Sequence, residues 1–292
     1  MNSFGSQDMV SSLKKVLMKK PQKMMSKVNS KKWNYIHPMN QKLISKNYEE
    51  FYKIIKNFGT EIIELELENE NEELCDSTFT HDPSIVINDG AIILNMGKKL
   101  RKKEAYAHLK LYQSIDVPIL GKIINDGTVE GGDCLWINKK TLIVGESDRT
   151  NKSGINQLSD ILQNHGLKVI SVKIPKYNDL DSCFHLMSMI SLLDEDLAIA
   201  KVDMLPNNLI DIFKEYKIKL INIPDNDYKK SKTLAVNILC LSQRNLIMMK
   251  GYPETEDLLI KENNKLNLFD GSELCIKAEG GPTCLTRPIL RE

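Results

Sequence analysis

One pattern limits what this chain can fold into: a unit of strand, strand, helix and strand that returns about every 50 residues. Helical spacing of apolar positions appears in "QKLISKNYEEFYKIIKNFG", "RKKEAYAHLKLYQSI", "TNKSGINQLSDILQNHG", "PNNLIDIFKEYK" and "PETEDLLIKENN". The first and third stop at Gly59 and Gly166, and the last opens on proline and acids, as a helix N-terminus should. After each comes a short apolar strand: "TEIIELELE", "VPILGKII", "LKVISVKI", "IKLINIP" and "KLNLF". Before most of them stands a hairpin, with turns at Asn88-Asp89-Gly90 and Asn138-Lys139 and near Asp194 and Gln243. Only the first unit lacks its hairpin partner. The last strand, around "CLTRPIL", can supply it by pairing with "KKVLMKK" near the start, which closes a ring. The expectation is radial repetition within one α/β domain spanning residues 1–292.

Charge and composition remove several function classes. With 40 basic and 39 acidic residues the chain has a formal charge of +1, which leaves no electrostatic footprint for nucleic acid. From Met9 to Tyr48 there is no Asp or Glu, yet "VLMKK" and "WNYIHP" read as ordered structure rather than as a basic arm. No apolar run approaches the roughly 18 residues that a membrane span needs. The opening residues have no continuous apolar core like that of a secretory signal, and arginine is absent before Arg101. Cysteines 75, 134, 183, 240, 275 and 284 show no paired spacing, so a reducing cytoplasm is expected. Cys134 and Cys183 stand near Asp133 and His185, but nothing in their spacing demands zinc, and no metal is expected.

In such a ring the loops at one end converge on the axis. Four short stretches fall there: "FTHDPS", "VEGGDCLW", "CFHLMS" and "EGGPTCLT". Together they offer carboxylates, histidines and thiols, of which His185 and Cys284 are the candidates for chemistry. Each has an ordinary structural reading: a packed cysteine, an acidic turn, a core histidine, an aspartate that initiates a turn before Pro83. Their combination suits a planar cationic guanidinium. Asp82 with Glu130 or Asp133 can grip it through charge-assisted hydrogen bonds. A thiolate at Cys284 can attack the central carbon, and His185 can protonate the departing amine and then activate water.

These stretches, with "GESDRTNKSG", make the chain resemble the guanidino-modifying enzymes of the five-bladed pentein fold: dimethylarginine dimethylaminohydrolases, arginine deiminases and amidinotransferases. The resemblance runs from about Val16 to Ile289. It implies a five-bladed pseudo-symmetric α/β propeller, Cys284 as nucleophile, His185 as general acid and base, and Glu130 as its partner. It further implies that Asp82 binds substrate with Asp133 in support, and that Arg149 and Arg101 hold a substrate carboxylate. An Arg fork suits a carboxylate; the structural alternative for Arg149 is an ion pair or a helix-start contact. Deiminases and transferases usually carry an acid where this chain has Met187, whereas apolar space there tolerates a substituted nitrogen. The dimethylarginine type is therefore expected: methylated arginine and water to citrulline and an alkylamine. A deiminase, an amidinotransferase and a non-catalytic binding protein are the alternatives. His81 departs from the pattern, because dimethylarginine hydrolases usually have an acid before the aspartate. No cofactor is expected; the partner is a small guanidino substrate, and a homodimer is compatible with all of this.

Overall fold

The structure, a computed structural model, describes residues 3–36, 38–67, 72–176 and 184–292. Within them lie five three-stranded sheets, each built the same way. A middle strand pairs antiparallel with one neighbour and parallel with the other, and a helix makes the parallel crossover.

In the first unit Leu13–Met18 is the middle strand. It runs parallel to Glu61–Glu64, reached through the helix Gln41–Phe58, and antiparallel to the last strand, Arg287–Arg291. The register Val16↔Pro288 and Leu17↔Arg287 is the ring closure expected from the sequence. The second unit joins the hairpin Ser84–Ile87 and Gly90–Ile93 to Ile119–Lys122, and the third joins Cys134–Asn138 and Thr141–Glu146 to Lys168–Lys173. In the fourth, Ile190–Asp194 and Leu197–Ala200 meet Lys219–Asn222; in the fifth, Leu239–Ser242 and Asn245–Met249 meet Lys265–Phe269.

Burial separates the strands by position. The hairpin strands are almost wholly buried, whereas the third strand of each sheet carries charged residues on an exposed edge, such as Glu61, Lys122 and Lys168. Charges there discourage pairing with another chain. Three apolar clusters bridge neighbouring sheets. Leu17 and Ile289 pack with Val86 and Ile93, Ile87 and Leu94 with Trp136 and Val144, and the largest cluster links the third, fourth and fifth sheets back to Val16. The sheets thus pack in sequence order around a closed circuit.

The helix signals work locally. Asn40 accepts hydrogen bonds from the amides of Lys42 and Leu43, Asn151 accepts from Gly154, and Gly59 closes its helix at φ 90°. Gly166 differs: its helix ends at Gln163, and the glycine takes a left-handed turn beyond it. Two short helices, Asp225–Lys230 and Leu274–Ala278, carry no signal that the sequence reading used. The second matters, because it aims the loop that bears Cys284.

Candidate active site

Cys284 and His185 line one narrow cavity with Asp82, Arg101, Arg149, Met187 and Gly132. Asn237, Phe79, Trp33, Lys98, Asp76 and Glu279 complete much of the wall.

The EGGD turn is built for close approach. A Cβ on Gly132 would lie 2.5 Å from Nδ1 of His185, so only glycine lets the imidazole rest against this turn. Glu130 opens the turn and is fully buried. Its Oε2 accepts from His185 Nε2 at 2.8 Å, and its Oε1 accepts from the Lys98 amide at 2.8 Å and faces Arg149 Nη1 at 3.5 Å. Burial pushes the Glu130 carboxyl up, but the hydrogen bond and charge of His185, with Arg149, outweigh it and hold the group below its ordinary range. The result is a carboxylate that orients an imidazole.

Asp82 stitches two loops together. Its Oδ1 accepts from the Gly132 amide at 2.9 Å and its Oδ2 from Arg101 Nη1 at 2.6 Å. Burial opposes its ionisation, but the charges of Arg101, His185 and His81 prevail and keep it ionised. Arg101 is itself heavily engaged. Nε donates to both oxygens of Glu104, while Nη2 donates to Glu104 and to the Phe79 carbonyl, both at 2.8 Å. A substrate carboxylate at Arg101 has to share a guanidinium already paired with two buried acids. Arg149 is the more accessible arginine, with 17% of its side chain exposed.

The glycines before Cys284 also have a steric reason. A Cβ on Gly281 would meet the Asn237 amide oxygen at 2.5 Å, and one on Gly280 would meet the Phe79 ring. Asn237 then organises the thiol: its Oδ1 accepts from the Thr283 amide at 3.0 Å, and its Nδ2 donates to Cys284 Sγ at 3.6 Å. The sulfur is half-buried on a turn fixed by Thr283 and Thr286.

One expectation needs revision. Asp133, counted among substrate-binding residues, does not face the cavity. It is fully buried, accepting from Ser147 Oγ at 2.6 Å and from the Leu186 amide at 2.9 Å, so it pins the turn that carries His185. His81, where dimethylarginine hydrolases usually have an acid, does not line this cavity. Its Nδ1–H donates to the Thr286 carbonyl at 2.9 Å, and it lines the adjoining cavity with Cys134 and Arg287. The Cys134 thiol donates to the Glu130 carbonyl and is pushed up by burial, which suits packing rather than zinc; Cys183 lies outside the described residues. Asp82, Glu130 and His185 bring ligand atoms within 4.8 Å of one another, a spacing that a metal ion could also use, but each already has protein partners.

Sequence reasoning missed Trp33, Asp76, Lys98, Asn237 and Glu279. Glu279 lay inside a stretch singled out for chemistry, and Trp33 inside "WNYIHP", read there only as ordered structure. Lys98 was lost in the basic run "KKLRKK", and Asp76 belongs to no recognisable motif.

Comparisons with known proteins agree with this architecture. The sequence model of the arginine deiminase family matches residues 66–209. A dimethylarginine dimethylaminohydrolase from Pseudomonas aeruginosa is 27% identical over 242 residues, covering 83% of this chain and 88% of that protein. An arginine deiminase from Listeria monocytogenes is 26% identical, covering 73% of this chain and 61% of the longer enzyme. Among solved structures, a variant of the Pseudomonas aeruginosa enzyme complexed with citrulline superposes with a TM-score of 0.77 at 22% identity, covering 94% of this chain and 99% of that one. An amidinotransferase from Microseira wollei superposes at 0.78 with 15% identity, covering 99% of this chain and 97% of that one. Sharing the fold of these proteins, and with its thiol, imidazole and carboxylates gathered at one cavity, the chain is similar in sequence to dimethylarginine dimethylaminohydrolases and arginine deiminases.

Proposed function

We propose that this protein is a cysteine-dependent hydrolase of N-substituted guanidines, of the dimethylargininase type. The observation that carries the reading is the shared cavity of Cys284 and His185, with Glu130 hydrogen-bonded to the imidazole.

The Cys284 thiolate attacks the guanidinium carbon, forming a C–S bond and a tetrahedral adduct. His185 gives a proton to the substituted nitrogen, which leaves as an amine, and an S-alkylthiouronium remains on the enzyme. His185 next takes a proton from water, whose oxygen attacks the same carbon. The C–S bond breaks, the thiolate returns and a ureido product departs. Asp82 keeps the guanidinium carbon oriented, and Glu130 holds the imidazole throughout. Met187 gives the departing nitrogen an apolar neighbour, which favours alkyl substituents over bare N–H groups. Arg149 is the residue best able to take a substrate carboxylate, with Arg101 behind it. No cofactor enters this chemistry. We place it in one catalytic domain, residues 1–292, working in a cytoplasm.

Incubation with Nω,Nω-dimethylarginine and related guanidines, followed by assay of ureido product and released amine, tests the reading. The wild type should form both products and Cys284→Ser neither, with melting temperatures equal. Equal turnover by the two proteins would overturn it. Deiminase or transferase action would instead release ammonia from unsubstituted arginine, or transfer the amidino group to an added amine.

A further inference from the structure

The wall of the cavity contains a cation that the protein supplies itself. Lys98 Nζ donates to the Asp76 carboxylate at 2.8 Å and to the Trp33 carbonyl at 2.9 Å. It also stands 5.4 Å from the centre of the Trp33 ring. Asp76 is buried and oriented from its other oxygen by the Tyr35 hydroxyl at 2.7 Å. A carboxylate, a carbonyl and an indole face are the groups that bind a primary ammonium. Here the ammonium they hold is on a side chain only 16% exposed. The Lys98 backbone is fixed as well, through its amide to Glu130.

An arginine-type substrate carries two cationic groups, the guanidinium and the α-ammonium. Three carboxylates occur among the described lining residues. Asp82, bound to Arg101 and the Gly132 amide, stands at the guanidinium end, and Asp76 is taken up by Lys98 and Tyr35. Glu279 is the third, five residues before Cys284 on the same loop. An α-ammonium beside Lys98 would face a like charge with its natural acid already occupied, and such a juxtaposition is costly in a confined site.

We propose that Lys98 is a specificity-determining residue: its ammonium fills the cation cradle of Asp76 and Trp33, so the site takes ω-guanidino acids that lack an α-amino group. The inference rests on the guanidino-hydrolase reading of the same cavity. In this arrangement Lys98 and Arg149 favour a carboxylate tail, while Asp82 and the Cys284 end receive the guanidinium.

Four substrates test it: arginine, des-amino-arginine, and the Nω,Nω-dimethyl form of each, compared by kcat/KM for ureido product. In the wild type each des-amino member should exceed its α-amino counterpart by about tenfold or more. Lys98→Met keeps the stem over Trp33 but empties the cradle, and should shrink or reverse that ratio; Lys98→Gln serves the same purpose should Lys98→Met fold poorly. Lys98→Arg, which keeps a cation, should preserve the preference. A wild type that favours the α-amino members, or a ratio unmoved by Lys98→Met, overturns the proposal while leaving the hydrolase reading intact. A fall in turnover of arginine alone, with des-amino-arginine unaffected, in Glu279→Gln would likewise overturn it, by assigning the α-ammonium to Glu279. No ureido product from any of the four would sink both readings together.

Discussion

Glu130 holds His185 Nε2 with one carboxylate oxygen and the Lys98 backbone amide with the other, each at 2.8 Å. One fully buried acid therefore fixes the imidazole and the segment that presents Lys98 to the cavity.

Glu130→Gln tests the first of these ties. A neutral amide can still span the gap, but it removes the charge that favours a protonated imidazole and can present the wrong group to Nε2. Turnover should fall by about a hundredfold or more, the usual size of a general acid–base contribution. KM should change far less. Steady-state kinetics check this, with circular dichroism to confirm that the buried site still folds. An unchanged kcat would separate Glu130 from the chemistry.

Gly132→Ala asks whether the EGGD turn exists to admit the imidazole. The new methyl would lie 2.5 Å from His185 Nδ1 and 2.8 Å from Cγ, so the ring has to move. Moving a catalytic group by about an ångström can cost roughly a hundredfold in rate. The added methyl points at a side chain, so the turn itself should survive, with a melting temperature only slightly lowered. Full activity would mean that the ring position is not critical.

The ring and most of its elements were legible in the sequence, because each depends on local signals: the 50-residue period, turns such as Asn88-Asp89, and caps such as Asn151. Even the pairing of first and last strands followed, since one unit lacked a partner. Side-chain direction within a turn was not legible. Asp133 and Glu130 belong to the same four-residue turn, yet Asp133 supports Leu186 while Glu130 meets His185. The long-range ties of Lys98 to Trp33 and Asp76 were equally hidden, because they join segments that only ring closure brings together. The pairing of Arg101 with Glu104 is three residues apart on one helical approach, a spacing that could have announced it.

Stability should fall on acidification through two buried histidines. Burial first, then the charge of Arg287, holds His81 at about 3 and His108 at about 3, against an ordinary 6.5. Both are therefore neutral in the fold, while the unfolded chain binds a proton below 6.5. Each contributes stability that is complete above that value and is lost as pH falls towards 3, by about 1.4 kcal/mol per pH unit. His81→Gln removes one of the two. Denaturant unfolding between about pH 6 and pH 4 should show a shallower loss for the variant than for the wild type, whatever its absolute stability. Identical slopes would mean that His81 titrates normally in the fold.

Asp133→Asn distinguishes a positioning residue from a substrate contact. The aspartate accepts from Ser147 Oγ through one oxygen and from the Leu186 amide through the other. An asparagine has one acceptor oxygen, so one of these donors loses its partner inside the protein, at about 1–3 kcal/mol. The melting temperature should drop accordingly. Because the Leu186 amide adjoins His185, kcat should decline by about tenfold as the imidazole loses its alignment with Cys284. A residue that touched substrate would raise KM instead. Burial pushes this carboxyl's pKa up, against the charge of His185 and the hydrogen bonds from Ser147 and Leu186. A large rise in KM with kcat preserved would return Asp133 to the substrate-binding residues.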